Sequence, residues 1–258
     1  MPDIKPQVYR DDRPAEYFQR FHERTRSRKP NWVYELVRTV VTPVSLFFYR
    51  LRAIGVENVP SEGPVLLAPN HFSQMDHFFC GVYLRRRIQF MAKSQMFGPP
   101  ALTWIYMNGG VFPIRRGNRD AEAFKTVQVI LGRGGTLLVY AEGGRSRTRN
   151  LGEPKPGVGR IALETGVPVV PVAIHGSAGV RGWKRLRFPK VTVQYGEPVT
   201  FPVEADASME RHLEVSTEVF DRVRRMYTAL EEKGRRGVIR ALRDQIPAPA
   251  PGETSPGG

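Results

Sequence analysis

The chain has 258 residues, 41% hydrophobic and 25% charged, enough to bury one substantial core with the composition of a folded domain. Lysine and arginine outnumber aspartate and glutamate 39 to 25, a formal charge of +14 that favours nucleic acid, anionic lipid surfaces or phosphorylated small molecules. A single cysteine, Cys80, excludes an intrachain disulfide and a cysteine-based metal cluster, and beside Phe78 and Phe79 it reads as a small buried apolar side chain.

Residues 1–30 are polar, basic and interrupted by proline, which predicts a weakly ordered arm with no apolar stretch of the signal-peptide kind. Residues 31–52 carry aromatic and aliphatic side chains with arginine at both ends, which predicts a helix with a break near Pro43. The uncharged run from Thr39 to Tyr49 falls short of the roughly 18–20 apolar residues of a spanning helix, so a buried core helix and an interfacial helix are both open.

From Ala53 the pattern changes. Pro64–Pro69 is a short apolar run bounded by turn residues, the signature of a buried strand. Similar runs recur at Ile88–Ala92, Val111–Ile114, Thr136–Ala141, Val167–Ile174 and Val191–Tyr195. Helical patterns lie between them at Asn118–Leu131 and Val158–Glu164, and Met209, Leu213, Phe220, Val223, Tyr227 and Leu230 mark one face of a long C-terminal helix. The alternation predicts an α/β domain over residues 53–235, with a mostly parallel central sheet flanked by helices. Residues 236–258 read as a basic stretch and then a disordered Pro/Gly-rich tail.

Four segments carry candidate chemistry. Asn70-His71-Phe72-Ser73-Gln74-Met75-Asp76 follows the first predicted strand, where open α/β sheets place their ligands. If His71 ends a loop and Asp76 starts the next helix, the carboxylate can hold one ring nitrogen and leave the other to act as a base. Ser73-x-x-Asp76 also reads as a plain helix cap, and His77 is an adjacent rival for the working imidazole. Gly109–Gly117 ends a strand in Arg115 and Arg116, guanidinium groups suited to a phosphate or to a basic surface loop. Val139–Ser146 delivers Glu142 into the glycine turn Gly143-Gly144, followed by Arg145 and Ser146. Val167–Ile174 is a buried strand with two prolines.

In order and spacing these segments resemble the glycerolipid acyltransferase family typified by 1-acylglycerol-3-phosphate acyltransferases, over about residues 50–200. His71 and Asp76 match its His-x-x-x-x-Asp core, and Gly109, Phe112 and Arg115 match its second block. Glu142, Gly143, Arg145 and Ser146 match Phe-Pro-Glu-Gly-Thr-Arg-Ser, and Pro168, Pro171 and Val172 match the fourth block. Lys93 sits where the family often carries a lysine. Tyr140, Ala141 and Gly144 depart from the third block, and Pro113-Ile114 from the common Ile-Asp of the second. These departures bear on the acceptor more than on the reaction.

The resemblance implies that His71 is the general base and Asp76 its orienting partner, with no metal and no cofactor beyond acyl-CoA or acyl-carrier protein as co-substrate. It implies that Arg115, Glu142, Gly143, Arg145, Ser146 and Lys93 bind substrate, with Arg116 a further addition. The expected partners are an acyl thioester donor, a lysophospholipid acceptor and an anionic membrane surface, at the cytoplasmic face and held peripherally. The expected product is phosphatidic acid. Another lysophospholipid or lipid alcohol as acceptor, a thioesterase, and a basic nucleic-acid-binding module are the alternatives. The chain lacks a Gly-x-Ser-x-Gly nucleophile elbow, against the serine version of a hydrolase, and shows no recognised nucleic-acid motif.

Overall fold

The protein is described from a computed structural model over residues 11–115, 120–146, 148, 150–180 and 188–244. Seven strands form one sheet: β1 (Arg52–Ile54), β2 (Val65–Pro69), β3 (Ile88–Lys93), β4 (Val111–Ile114), β5 (Thr136–Leu138), β6 (Val169–His175) and β7 (Thr192–Tyr195), in the order β1-β7-β6-β2-β5-β3-β4. All neighbouring pairs are parallel except β6–β7, so β2 to β6 point their carboxyl ends at one edge.

Every residue of β2 is buried, because both faces of this central strand are covered. Leu66 and Ala68 face a core completed by α5 (Ala121–Gly132), α6 (Gly157–Thr165) and α7 (Met209–Asp244). Val65 and Leu67 face the opposite way, onto Phe79 and Cys80 of α3 (Asp76–Gly81). Strand pleating alone sorts these side chains to two cores.

Several expectations are corrected. The arm predicted as weakly ordered contains α1 (Ala15–Ser27), whose Phe18 and Phe21 are buried with Phe97 and Val111. Arg13 fastens its start by donating to the carbonyls of Phe97 and Ser94 at 2.6 and 2.7 Å. Two phenylalanines three positions apart are enough to anchor a helix otherwise made of charge. The break at Pro43 does not occur: α2 (Trp32–Phe47) runs through it, and Thr39, whose carbonyl loses its helical partner, is exposed. β5 is shorter than predicted, although Val139 and Ala141 still donate to Leu67 and Pro69 of β2. β1 and α4 (Pro100–Gly109) were not predicted, and α7 passes the expected boundary at residue 235, bending at Gly234. Residues 245–258 of the predicted tail lie outside the described residues.

Of α2 only Val33 and Ser45 are buried. Trp32, Leu36, Val40, Val44 and Phe47 form an exposed stripe, and Trp32 meets Trp104 of α4 at 6.2 Å between ring centroids. Among the described residues no helix is long and apolar enough to cross a membrane.

Candidate active site

The backbone leaves the carboxyl end of β2 through Asn70, whose buried side chain is held by β6: it accepts from the Ile174 amide at 2.7 Å and donates to the Ile174 carbonyl at 3.1 Å. This two-way clamp fixes where His71 starts. His71 Nδ1 lies 2.9 Å from Asp76 Oδ2 at the first residue of α3. The same Oδ2 accepts from the amides of Phe72 and Ser73, both at 2.7 Å. An oxygen already accepting two N–H groups calls for a third donor, so Nδ1 carries the hydrogen and the lone pair of the neutral ring falls on Nε2. Asp76 is fully buried and His71 only partly, with 12% of its side chain exposed, so the ring and not the carboxylate meets substrate.

The third block closes onto the first. Glu142 Oε1 accepts from the His71 amide at 2.9 Å and Oε2 from the Gly152 amide at 2.7 Å, while the Ser146 amide donates to the His71 carbonyl at 2.8 Å. Burial pushes the Glu142 carboxyl upward, opposed by those two amides. Tyr140 stacks on His71 with ring centroids 3.6 Å apart and planes 12° from parallel. Burial raises the Tyr140 phenol well above its usual range, so it stays protonated.

The acyltransferase family profile matches residues 50–175, the span that holds all of these groups. Residues 50–175 are thus similar to that family. The chloroplastic 1-acyl-sn-glycerol-3-phosphate acyltransferase of Arabidopsis thaliana is 30% identical over 136 residues, which is 52% of this chain and 38% of that protein. The probable 1-acyl-sn-glycerol-3-phosphate acyltransferase of Mycoplasma pneumoniae is 31% identical over 163 residues, 57% of this chain and 59% of that one. The matched stretch is thus less than two thirds of either relative's length. The crystal structure of the 1-acyl-sn-glycerophosphate acyltransferase of Thermotoga maritima shares the fold, with a TM-score of 0.58 at 24% identity over 84% of this chain and 89% of that one.

Within the matched span the remaining predicted residues gather along the same sheet edge. Lys93 ends β3 opposite Ile114, and Arg115 follows directly. The Arg115 amide donates to Asp120 Oδ2 at 2.8 Å, and Asp120 also caps α5 through Ala123, which ties the end of β4 to that helix. Arg115 Nε is buried with no hydrogen-bond partner among the described residues. Gly143 has φ +66°, a turn conformation that glycine adopts without strain, and its amide returns to the Tyr140 carbonyl at 2.9 Å. Arg145 is half-buried on the same loop; Arg116 lies outside the described residues.

Two expectations change. Both oxygens of Glu142, predicted to bind substrate, are engaged by backbone amides, so its first task is to join the two loops. His77 is not a rival base: it packs on Phe78 and Phe90 at 4.0 and 4.4 Å. Desolvation, helped by His71, pushes its imidazole down to about 3. Sequence reasoning missed Asn70 and Tyr140 as positioning groups, and missed Gly152 and Arg224 entirely. Arg224 of α7 donates to the Gly152 carbonyl at 3.3 Å and pairs with Glu153 at 3.0 Å, bracing the loop that holds Glu142. Asn70 stands in the quoted Asn-His pair and was visible; a loop glycine and a helix arginine carry no such signal.

Proposed function

We propose that the protein transfers a fatty acyl group from acyl-CoA or acyl-carrier protein to the free hydroxyl of 1-acylglycerol-3-phosphate, making phosphatidic acid. The observation that carries this reading is the 2.9 Å His71–Asp76 pair at the carboxyl edge of a parallel sheet. His71 Nε2 takes the hydroxyl proton as the oxygen attacks the thioester carbonyl; the carbon–sulfur bond then breaks and the proton passes to the leaving thiolate. Asp76 stabilises the imidazolium while it exists. Holding both substrates in register contributes at least as much as the base.

Arg115 and Arg145, with Lys93 nearby, are assigned to the phosphate of the acceptor, since guanidinium groups match its oxygens in pairs. The names of the relatives above support that acceptor. An apolar cavity of about 90 Å³ between α2, α3, α4 and β3, lined by Val37, Val41, Phe78, Val82, Phe90 and Ile105, suits the acyl chain of the donor. The exposed stripe of α2, the tryptophan of α4 and the positive charge fit a peripheral position on an anionic membrane, placed here at the cytoplasmic face. No nucleic acid enters this reading.

A purified-protein assay against a panel of lysolipids, with labelled acyl-CoA and acyl-carrier protein and mass-spectrometric readout, tests it. Phosphatidic acid is the expected product, and His71→Ala is expected to abolish it while thermal unfolding stays cooperative. Thioester consumption that does not depend on added lysolipid would make the protein a thioesterase instead.

A further inference from the structure

A second apolar cavity, of about 140 Å³, opens where β3, β4 and β5 end. Its walls include Met91, Ile114 and Val139, and it reaches Tyr140, the ring stacked on His71. It lies across the sheet from the cavity assigned above to the donor chain. Phe90 and Val111 line that first cavity, whereas Met91 and Ile114 line this one. In the β3–β4 register Met91 sits opposite Phe112, two residues before Ile114, so pleating sends Met91 and Ile114 to the same face and Phe90 and Val111 to the other.

The mouth is cationic. Lys155 lines it and lies over Gly143, so close that a Cβ there would meet Lys155 Cγ at 3.0 Å. An apolar interior behind a positive rim is the complement of an anionic head carrying a hydrocarbon tail.

We propose that this second cavity takes the hydrocarbon chain already borne by the acceptor. The inference rests on the acyl-transfer reading and adds to it a place for each chain: donor chain on the α2/α3/α4 face, acceptor chain on the α5/α6 face, with the His71–Tyr140 stack between them. Transfer joins the new acyl group to a glycerol carbon beside the one that holds the old chain. Chains on adjacent carbons can run side by side or diverge, and two faces of one sheet let them diverge without competing for space. Each methylene removed from water is worth about fourfold in binding, so the cavity makes the enzyme sensitive to the length of the acceptor chain independently of the donor chain.

The test fills the cavity. Met91→Trp and Ile114→Phe are assayed with long-chain and short-chain monoacyl glycerol phosphates in competition, at one donor, and then with long and short acyl-CoA at one acceptor. In both variants the long-over-short preference for acceptors in kcat/KM is expected to fall by about tenfold or more, with the donor preference ratio as in the unmodified protein. A shift in donor preference, or an equal loss with both acceptors, overturns the assignment. Thermal melts accompany each variant, and the substitution at half-exposed Ile114 carries the comparison should Met91→Trp prevent folding. If the unmodified protein acylates no monoacyl glycerol phosphate at all, the acyl-transfer reading itself fails and this proposal falls with it; an enzyme that acylates them with no altered length preference in the variants refutes the cavity alone.

Discussion

Asp76 is the most heavily engaged side chain of the site, and its three donors all meet on one oxygen, Oδ2. Its other oxygen, Oδ1, is buried with no hydrogen-bond partner among the described residues. That asymmetry separates two things a carboxylate does for an imidazole. An asparagine with its carbonyl in place of Oδ2 can accept the same three hydrogens and keep the His71 ring in the same tautomer, but it brings no charge to stabilise the imidazolium. Asp76→Asn is therefore expected to lower kcat by roughly a hundredfold, and Asp76→Ala, which also releases the ring and two amides, by more, toward the upper end of what a positioned base supplies. KM for both substrates should move little. Alanine activity within about tenfold of the unmodified protein would remove the pair from the mechanism. At this scale the sequence is readable where chemistry depends on spacing: the five-residue interval from His71 to Asp76 is visible in it. The service of Glu142 to the His71 amide is not, because nothing in a linear pattern says which carboxylate will be claimed by a distant backbone.

The elements follow a similar division. Strands buried on both faces declare themselves as apolar runs, and five of the six predicted ones agree with β2, β3, β4, β6 and β7 to within two residues at either end, while β5 stops earlier. Three-residue β1 is too short for a periodic signal, and α4 is apolar nearly all round, so no amphipathic pattern sets it apart. Sequence reasoning leaves α2 open between core and interface, and its exposed stripe decides the geometry: Trp32, Leu36, Val40 and Val44 repeat every four residues on the outward side, with Phe47 one turn on. Burying a large apolar side chain contributes about 1.5–3 kcal/mol, or roughly tenfold in affinity for each ring that enters a lipid interface. Trp32→Ser combined with Phe47→Ser is expected to weaken flotation with anionic vesicles by a hundredfold or so and to leave the melting temperature nearly unchanged, since neither ring is in the core. Unaltered flotation would detach this helix from any membrane role. The remaining attraction should be electrostatic and fade as salt shortens the screening length to about 10 Å and below.

For the whole molecule, the charge that matters to folding is on three histidines, His22 buried and His77 and His175 partly so. His22 in α1, His77 in α3 and His175 at the end of β6 belong to three separate elements, and desolvation lowers the pKa of each, that of His77 to about 3. The neighbours of the other two partly oppose this: Asp120 and Glu122 face His22 and raise its pKa while Arg26 lowers it, and Glu231 raises that of His175 while Arg235 lowers it. In the unfolded chain all three titrate near 6.5. Between that value and their folded values the unfolded state binds more protons, so stability rises with pH through the window. It is fully present above about pH 6.5 and is lost progressively on acidification. Glu142, with its raised carboxyl, works the other way between its ordinary value near 4.5 and its folded one, but it is one group against three. Each histidine costs up to about 1.4 kcal/mol per pH unit inside its window. Urea unfolding across about pH 5 to 8 is therefore expected to show a midpoint that falls below about pH 6.5, before most carboxylates have begun to protonate. His77→Phe should flatten that slope, because a phenylalanine can fill the same space against Phe78 and Phe90 without a proton to gain. A midpoint constant from about pH 7 to pH 5, or a slope untouched by His77→Phe, would mean these rings reach water in the folded protein and that the packing around α3 is looser than described.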